Sequence, residues 1–120
     1  MKITKVNTVE SSLVTKNHPY MQGAWETFYD EYNAINLDSI GDIPKDLDGI
    51  YIRNTENQVH EPIGRFHPFD GDGMLHSITF NEGKANYRNR FIQTEGFQVE
   101  QKFKKSKWAG LMERPGSSEL

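Results

Sequence analysis

Cysteine is absent from these 120 residues, which removes disulfide staples, thiolate metal sites and cysteine nucleophiles together. No run approaches the roughly twenty apolar residues of a membrane span. The first residues, Met1 through Thr8, carry Lys2 and Lys5 without the apolar stretch of about seven to fifteen residues that a secretory leader needs. A cytoplasmic location is the expectation. A basic excess is missing as well: 14 Lys and Arg stand against 17 Asp and Glu, a net charge of -3. No global field therefore draws nucleic acid, and none is expected as a partner. With 35% hydrophobic residues and a mean hydropathy of -0.76, one small domain fits the length, but composition alone does not assure a compact core.

What is present is a β pattern behind an irregular start. Residues 1–48 show no sustained period, with breakers at Pro19, Gly23, Gly41 and Pro44 and a short helical turn around Ala24 to Tyr29. They read as an amino-terminal arm. Residues 49–120 read as strands. Ile50-Tyr51-Ile52-Arg53 is β-branched and aromatic, and a polar connection follows from Asn54 to Gly64. A next strand candidate ends in the turn region Asp70-Gly71-Asp72-Gly73. Beyond it, Met74, His76, Ile78 and Phe80 alternate with Leu75, Ser77 and Thr79, the period of a strand with two distinct faces. Asn81-Glu82-Gly83-Lys84 suits a hairpin turn, and Ala85, Tyr87, Asn89 and Phe91 line one face of a return strand. After a break at Gly96, Phe97-Gln98-Val99-Glu100 reads as a further short strand. Arg114 through Leu120 reads as loop.

The run Phe69-Asp70-Gly71-Asp72-Gly73-Met74-Leu75-His76 has the character of a signature, since two Asp-Gly turn signals feed directly into a strand. Gly41-Asp42-Ile43-Pro44-Lys45-Asp46-Leu47-Asp48-Gly49 and Arg53-Asn54 precede it, and Tyr87-Arg88-Asn89-Arg90-Phe91 follows it. Together these segments resemble the amino-terminal portion of the carotenoid cleavage oxygenase family, which includes lignostilbene dioxygenases and a retinoid isomerase of the eye. The resemblance runs from about Pro19 to Pro115. It implies an all-β fold: the first strands of a seven-bladed β-propeller, preceded by the irregular arm. It also implies a non-haem Fe(II) held by four histidines, none of which matches a position here. His18, His60, His67 and His76 equal that set in number only, so this chain is expected to bind no metal and to supply no catalytic residue. The chain accordingly looks truncated. The intact protein would cleave a carbon–carbon double bond of a carotenoid, apocarotenoid or stilbene-like substrate with O2, while the fragment alone, lacking its other blades, would be inactive.

Within the resemblance, Arg53, Asn54, Asp70, Gly71, Asp72, Gly73 and His76 form a structural motif that turns the chain into an inner strand. Phe69 matches an aromatic that lines the substrate tunnel of lignostilbene-type members. Leu111 stands where those members place a tyrosine that binds a phenol. Leucine can neither donate nor accept that hydrogen bond, which favours an apolar polyene over a 4-hydroxystilbene. Many members follow Arg-Asn with Gly-Pro-Asn-Pro, whereas this chain has Thr55-Glu56-Asn57-Gln58, so that turn must differ.

Other readings stay open on the residues themselves. Asp70 and Asp72 suggest a calcium loop, but counted from Asp70 the fifth, sixth and twelfth positions of an EF-hand loop, which want a ligand, glycine and glutamate, hold Met74, Leu75 and Asn81. Carboxylates capping backbone N–H groups are the alternative. His60 and His67 read as loop surface, and His76 as a packed strand histidine hydrogen-bonded to backbone. Lys102 to Trp108 interleaves basic and aromatic residues, as a peripheral membrane contact would, or as a solvated loop or lysine-protected edge would. Against the oxygenase stands a different class, a stand-alone β-rich binding or scaffolding piece without catalysis.

Overall fold

The computed structural model describes residues 1–15 and 17–114 and resolves into two units. The first gathers Met1–Val9, Asp30–Thr55 and Met74–Phe91; the second gathers Glu10–Tyr29, Glu56–Gly73 and the chain from Ile92 on. The loop expected beyond Arg114 lies outside the described residues.

Strands β1 (Lys2–Thr8), β2 (Asp30–Ile35), β3 (Gly49–Asn57), β4 (Asp72–Asn81) and β5 (Lys84–Phe91) make one open sheet in the order β1-β2-β5-β4-β3. The β4–β5 hairpin follows the alternation in the sequence. Its ladder runs in register from Met74 opposite Phe91 to Asn81 opposite Lys84, so Met74, His76, Ile78 and Phe80 share a face with Phe91, Asn89, Tyr87 and Ala85. Glu82 (φ 53) and Gly83 (φ 74) both take the left-handed conformation that gives a two-residue hairpin the twist of its strands. Burial follows the same face: Met74, Ala85, Asn89 and Phe91 are all buried. The outer strands differ, since β1 is exposed throughout and Ile50, Tyr51 and Ile52 of β3 are each more than half exposed. The sheet is not closed.

Residues 1–48 are not irregular throughout, because they supply β1 and β2. Two features hide these strands from a search for alternation. A register shift between Lys5 and Asn7 changes the phase of β1, and β2 buries Glu31 and Ala34 where an apolar pair would be looked for. Polar side chains also extend the β2–β5 ladder. Beyond Asn33 opposite Arg88 and Ala34 opposite Tyr87, the Asn89 amide accepts from Tyr32 N–H (2.6 Å) and donates to the Asp30 carbonyl (2.8 Å). Glu31 accepts from Phe91 N–H (2.8 Å) and from the Asn7 amide (2.9 Å). Buried backbone groups must find partners, and here side chains supply them.

The second unit is built from loops, two 3-10 turns (Pro19–Met21 and Gly23–Trp25) and one helix, α1 (Glu95–Phe103), around Leu13, Met21, Val59 and Phe97. The helix replaces the strand expected at Phe97 to Glu100. Thr94 caps it by accepting from Phe97 N–H (3.0 Å), Glu95 sits in the first turn and Lys102 in the last. These are helix-start and helix-stop signals, and Gly96 lies inside the first turn, where it breaks nothing. The strand candidate ahead of Asp70 is likewise loop and turn. Among the described residues no helix is long and apolar enough to cross a membrane.

Candidate functional site

In the second unit the signature run is bent tightly against its own neighbours. Gly71 has φ 118, and a Cβ there would stand 2.7 Å from both the carbonyl carbon and oxygen of Asn57, so both conformation and space demand glycine. The bend presents Asp70, whose Oδ1 accepts from Leu111 N–H (3.0 Å). One hydrogen bond thus ties the backbone of Leu111 to Asp70, the residue after Phe69, although 41 positions separate the two; Phe69 and Leu111 are the residues that the resemblance assigns to a substrate wall. His67 orients the aromatic: its Nδ1 accepts from Phe69 N–H (3.0 Å) and its ring meets the Phe69 ring edge-on at 5.2 Å. Phe69 is 70% and Leu111 67% exposed. They offer apolar surface that nothing among the described residues covers.

Beside them lies a cavity of about 250 Å³ with Gln58, His60, Asp70, Asp72, Glu100 and Trp108 among its walls. Carboxylates hold the loops around it. Glu113 accepts from the N–H groups of Gly110 (2.9 Å) and Gly64, and Glu100 accepts from Lys107 N–H (2.8 Å). Burial, helped by the negative charge of Glu100, pushes the Asp72 carboxyl up to about 7. Burial also raises Glu100, against the N–H groups of Lys107 and Trp108 that favour its ionised form. His60, expected on a loop surface, is only 3% exposed. Its Nδ1 lies 2.7 Å from Ser12 Oγ, and burial pulls its pKa down against the opposing charge of Glu10.

In the first unit His76 is the middle of a hydrogen-bonded chain. Thr55 Oγ1 donates to the Met74 carbonyl (3.2 Å) and therefore accepts from His76 Nε2–H (3.0 Å). That tautomer leaves Nδ1 to accept from the Tyr87 hydroxyl at 2.6 Å. Its partners are thus side-chain hydroxyls, and the backbone is reached only through Thr55. Burial first, then the charge of Arg53, lowers the His76 pKa, and burial raises that of Tyr87. A neutral imidazole between two hydroxyls is a structural link. Arg53 borders the same shallow hollow with Thr55 and Tyr87, Asn54 is exposed, and the Gly73 carbonyl accepts from Ile92 N–H (2.8 Å).

Among the described residues no group of three or more His, Asp or Glu is arranged to hold a metal ion. His76 has both ring nitrogens engaged, and the Nδ1 atoms of His18 and His67 accept from the backbone of Tyr20 and Phe69. These residues do not fit an iron site. Sequence reasoning missed Gln58, His60 and Glu100 as cavity walls, because the loop that carries Gln58 and His60 meets the helix that carries Glu100 only in the tertiary fold. Lys102 to Trp108 forms the end of α1 and the turn after it. There Lys104 pairs with Glu10 (3.0 Å), and the Lys107 ammonium stands 4.3 Å from the centre of the Phe103 ring.

Known proteins resemble this chain strongly. A pea (Pisum sativum) carotenoid 9,10(9',10')-cleavage dioxygenase is 33% identical over 100 residues, 82% of this chain and 18% of that protein. A solved Synechocystis apocarotenoid oxygenase superposes with a TM-score of 0.62 at 33% identity, over 75% of this chain and 19% of that one. A Pseudomonas brassicacearum lignostilbene dioxygenase superposes with a TM-score of 0.77 over 90% of this chain and 24% of that one, at 21% identity, a likeness of fold. The chain therefore spans about a fifth of the length of the proteins it matches, and its strands are the first strands of their propeller-type fold. The family described as retinal pigment epithelial membrane protein matches residues 25–118, and this chain belongs to that family of carotenoid-cleaving oxygenases, of which it covers the amino-terminal portion.

Proposed function

We propose that the intact protein is an Fe(II)-dependent oxygenase that cleaves a carbon–carbon double bond of an apocarotenoid or carotenoid, one atom of O2 ending in each of the two carbonyl products. The family match over residues 25–118 carries this reading, together with relatives that are carotenoid cleavage dioxygenases. In the family resemblance the four iron-binding histidines match no position of this chain, so this reading assigns them to the remainder of the protein. In this reading the 120 residues contribute scaffold and one piece of substrate wall, and are inactive without the other blades. Phe69, steered by His67, and Leu111, tied to Asp70, give that wall an apolar surface suited to a polyene. Leu111 offers no hydrogen bond to a phenol, so a 4-hydroxystilbene is the poorer substrate. The chain is cytoplasmic in this reading.

The test begins with the gene beyond the Leu120 codon. The open frame should continue and encode four well-separated histidines. The intact iron-loaded product should then convert an apocarotenal to two shorter carbonyl compounds, each labelled from 18O2, with little turnover of a 4-hydroxystilbene. A frame that closes at Leu120, or an intact product that leaves all such polyenes untouched, would replace the oxygenase with the non-catalytic binding piece. Leu111→Tyr sharpens the substrate assignment: it should raise kcat/KM for the hydroxystilbene about tenfold, the worth of one hydrogen bond.

A further inference from the structure

Aspartate stands directly before glycine at Asp48-Gly49, Asp70-Gly71 and Asp72-Gly73, and asparagine never does. That pairing is chemically reactive. With no side chain on the glycine to hinder the approach, its backbone nitrogen can attack the carbon of the preceding protonated carboxyl group, closing a five-membered succinimide ring and expelling water. Water then opens the ring at either carbonyl. Opening at one returns aspartate; opening at the other leaves isoaspartate, in which the main chain runs through the former side-chain carboxyl. One water leaves and one enters, so the change is an isomerisation that needs no oxidant, reductant or co-reactant beyond solvent.

The three sites differ in how firmly the fold holds them. Acidity alone would select Asp72, which keeps its proton up to about 7. Asp72 and Gly73 open strand β4, however, and the Gly73 carbonyl accepts from Ile92 N–H (2.8 Å). Closing the ring must turn the aspartate backbone out of the extended range that a strand imposes. At the next site Asp70 Oδ1 accepts from Leu111 N–H (3.0 Å), Oδ2 packs against Gly110, and Gly71 is pressed onto the Asn57 backbone. Asp48 has none of these restraints. It lies outside every strand and helix, it and Gly49 are both exposed, and a Cβ placed on Gly49 would meet nothing within 4 Å. We propose that Asp48 is a site of spontaneous modification, passing through the succinimide to isoaspartate in the folded chain, while the surrounding structure protects Asp70 and Asp72. The product carries one extra main-chain methylene immediately ahead of Gly49, where the edge strand β3 begins, and leaves the free carboxylate on the α-carbon. This chemistry is independent of the oxygenase reading.

The test ages the whole chain in 18O-labelled water at pH 6, folded and, in parallel, unfolded in urea, and then maps its peptides after tryptic digestion in ordinary water. Asp48 falls in the peptide Asp46–Arg53, and Asp70 and Asp72 in Phe66–Lys84; fragmentation of each isomer assigns the isoaspartate to one position. Segments that open freely react as they do in the unfolded chain, and segments that must first unfold react more slowly by the cost of opening. Asp48 should therefore isomerise in the folded chain within about threefold of its rate in urea, and Asp70 and Asp72 should each be slowed at least about tenfold. Every isoaspartate at Asp48 should carry one 18O from the opening of the ring. Asp48→Glu, which would need a six-membered ring, should abolish the isomer in Asp46–Arg53. Slowing of Asp48 by more than about threefold on folding, protection of Asp70 or Asp72 by less than about tenfold, or an isomer without 18O overturns the proposal, and the wild-type comparison needs no variant to fold.

Discussion

The two units satisfy their backbones in opposite ways. In the first, a ladder of strands pairs N–H with C=O, and where β2 and β5 part, Asn89 and Glu31 stand in for missing rungs. In the second, where only α1 is regular over any length, carboxylates take the N–H groups of loops one by one. Glu61 holds Val14 and Thr15, Asp70 holds Leu111, Glu100 holds Lys107, and Glu113 holds Gly64 and Gly110. The lesson is that the excess of acids over bases in this chain is in part structural: acidic side chains do for loops what neighbouring strands do for a sheet. Among the described residues, the buried side-chain atoms left without a partner, Gln58 Oε1, His60 Nε2 and Asp70 Oδ2, all belong to the second arrangement.

The comparison can be broken most forcefully at Gly71. Gly71→Ala puts a methyl group against the Asn57 backbone at a disallowed φ, and should cost about 4 kcal/mol of unfolding free energy in denaturant. A loss under 1 kcal/mol would mean the second unit does not depend on this bend.

A pH scan separates Asp72 from His60 and His76 by sign. Asp72 has a folded pKa of about 7, above its ordinary 3.8, so the folded state keeps a proton that the unfolded state releases. Stability from this group is complete below about pH 4, falls as pH rises through 7, and is gone above it. Asp72→Asn should therefore stabilise the chain by about 3 kcal/mol at pH 8.5 and by almost nothing at pH 4. His76, lowered below 6.5, works the other way: its contribution is complete above 6.5 and is lost as pH falls towards its folded pKa. His60 shares that sign within the second unit. Hydrogen exchange at pH 5 and 8.5 reads both units separately.

Asn89→Leu tests the substituted rungs. With Asn89 only 1% exposed, the change strands Tyr32 N–H and the Asp30 carbonyl and should cost about 2 kcal/mol, with exchange of the Tyr32 amide accelerating most. The smallest effect lies in the hairpin: Glu82→Asn places a better left-handed residue at φ 53 and should add about 0.5 kcal/mol, read as a small rise in Tm.

The β4–β5 hairpin was legible residue by residue, because its alternation, its Glu82-Gly83 turn and its inner face all point the same way. The family signature from Phe69 to His76 was legible too. Strand β2 was not, since Asp30-Glu31-Tyr32-Asn33 looks like surface until Glu31 is seen accepting from Phe91 N–H. The helix at Glu95 was readable from Thr94 and Glu95 and was obscured by reading Gly96 as a breaker. His60 looked like a loop histidine because local sequence carries no sign of the serine that meets it 48 residues away.

By itself, then, the sequence determined the β character of the chain, its signature turn, the hairpin that follows and the family to which these belong. All of these rest on periods and turn chemistry that neighbouring residues set among themselves. Only the tertiary structure decided that Leu111 is tied to Asp70, that Asn89 and Glu31 serve as rungs, and that Gln58, His60, Asp70 and Asp72 share a cavity. Each of those depends on a hydrogen bond or a close approach between residues far apart in the chain, and such a contact leaves no local period to read.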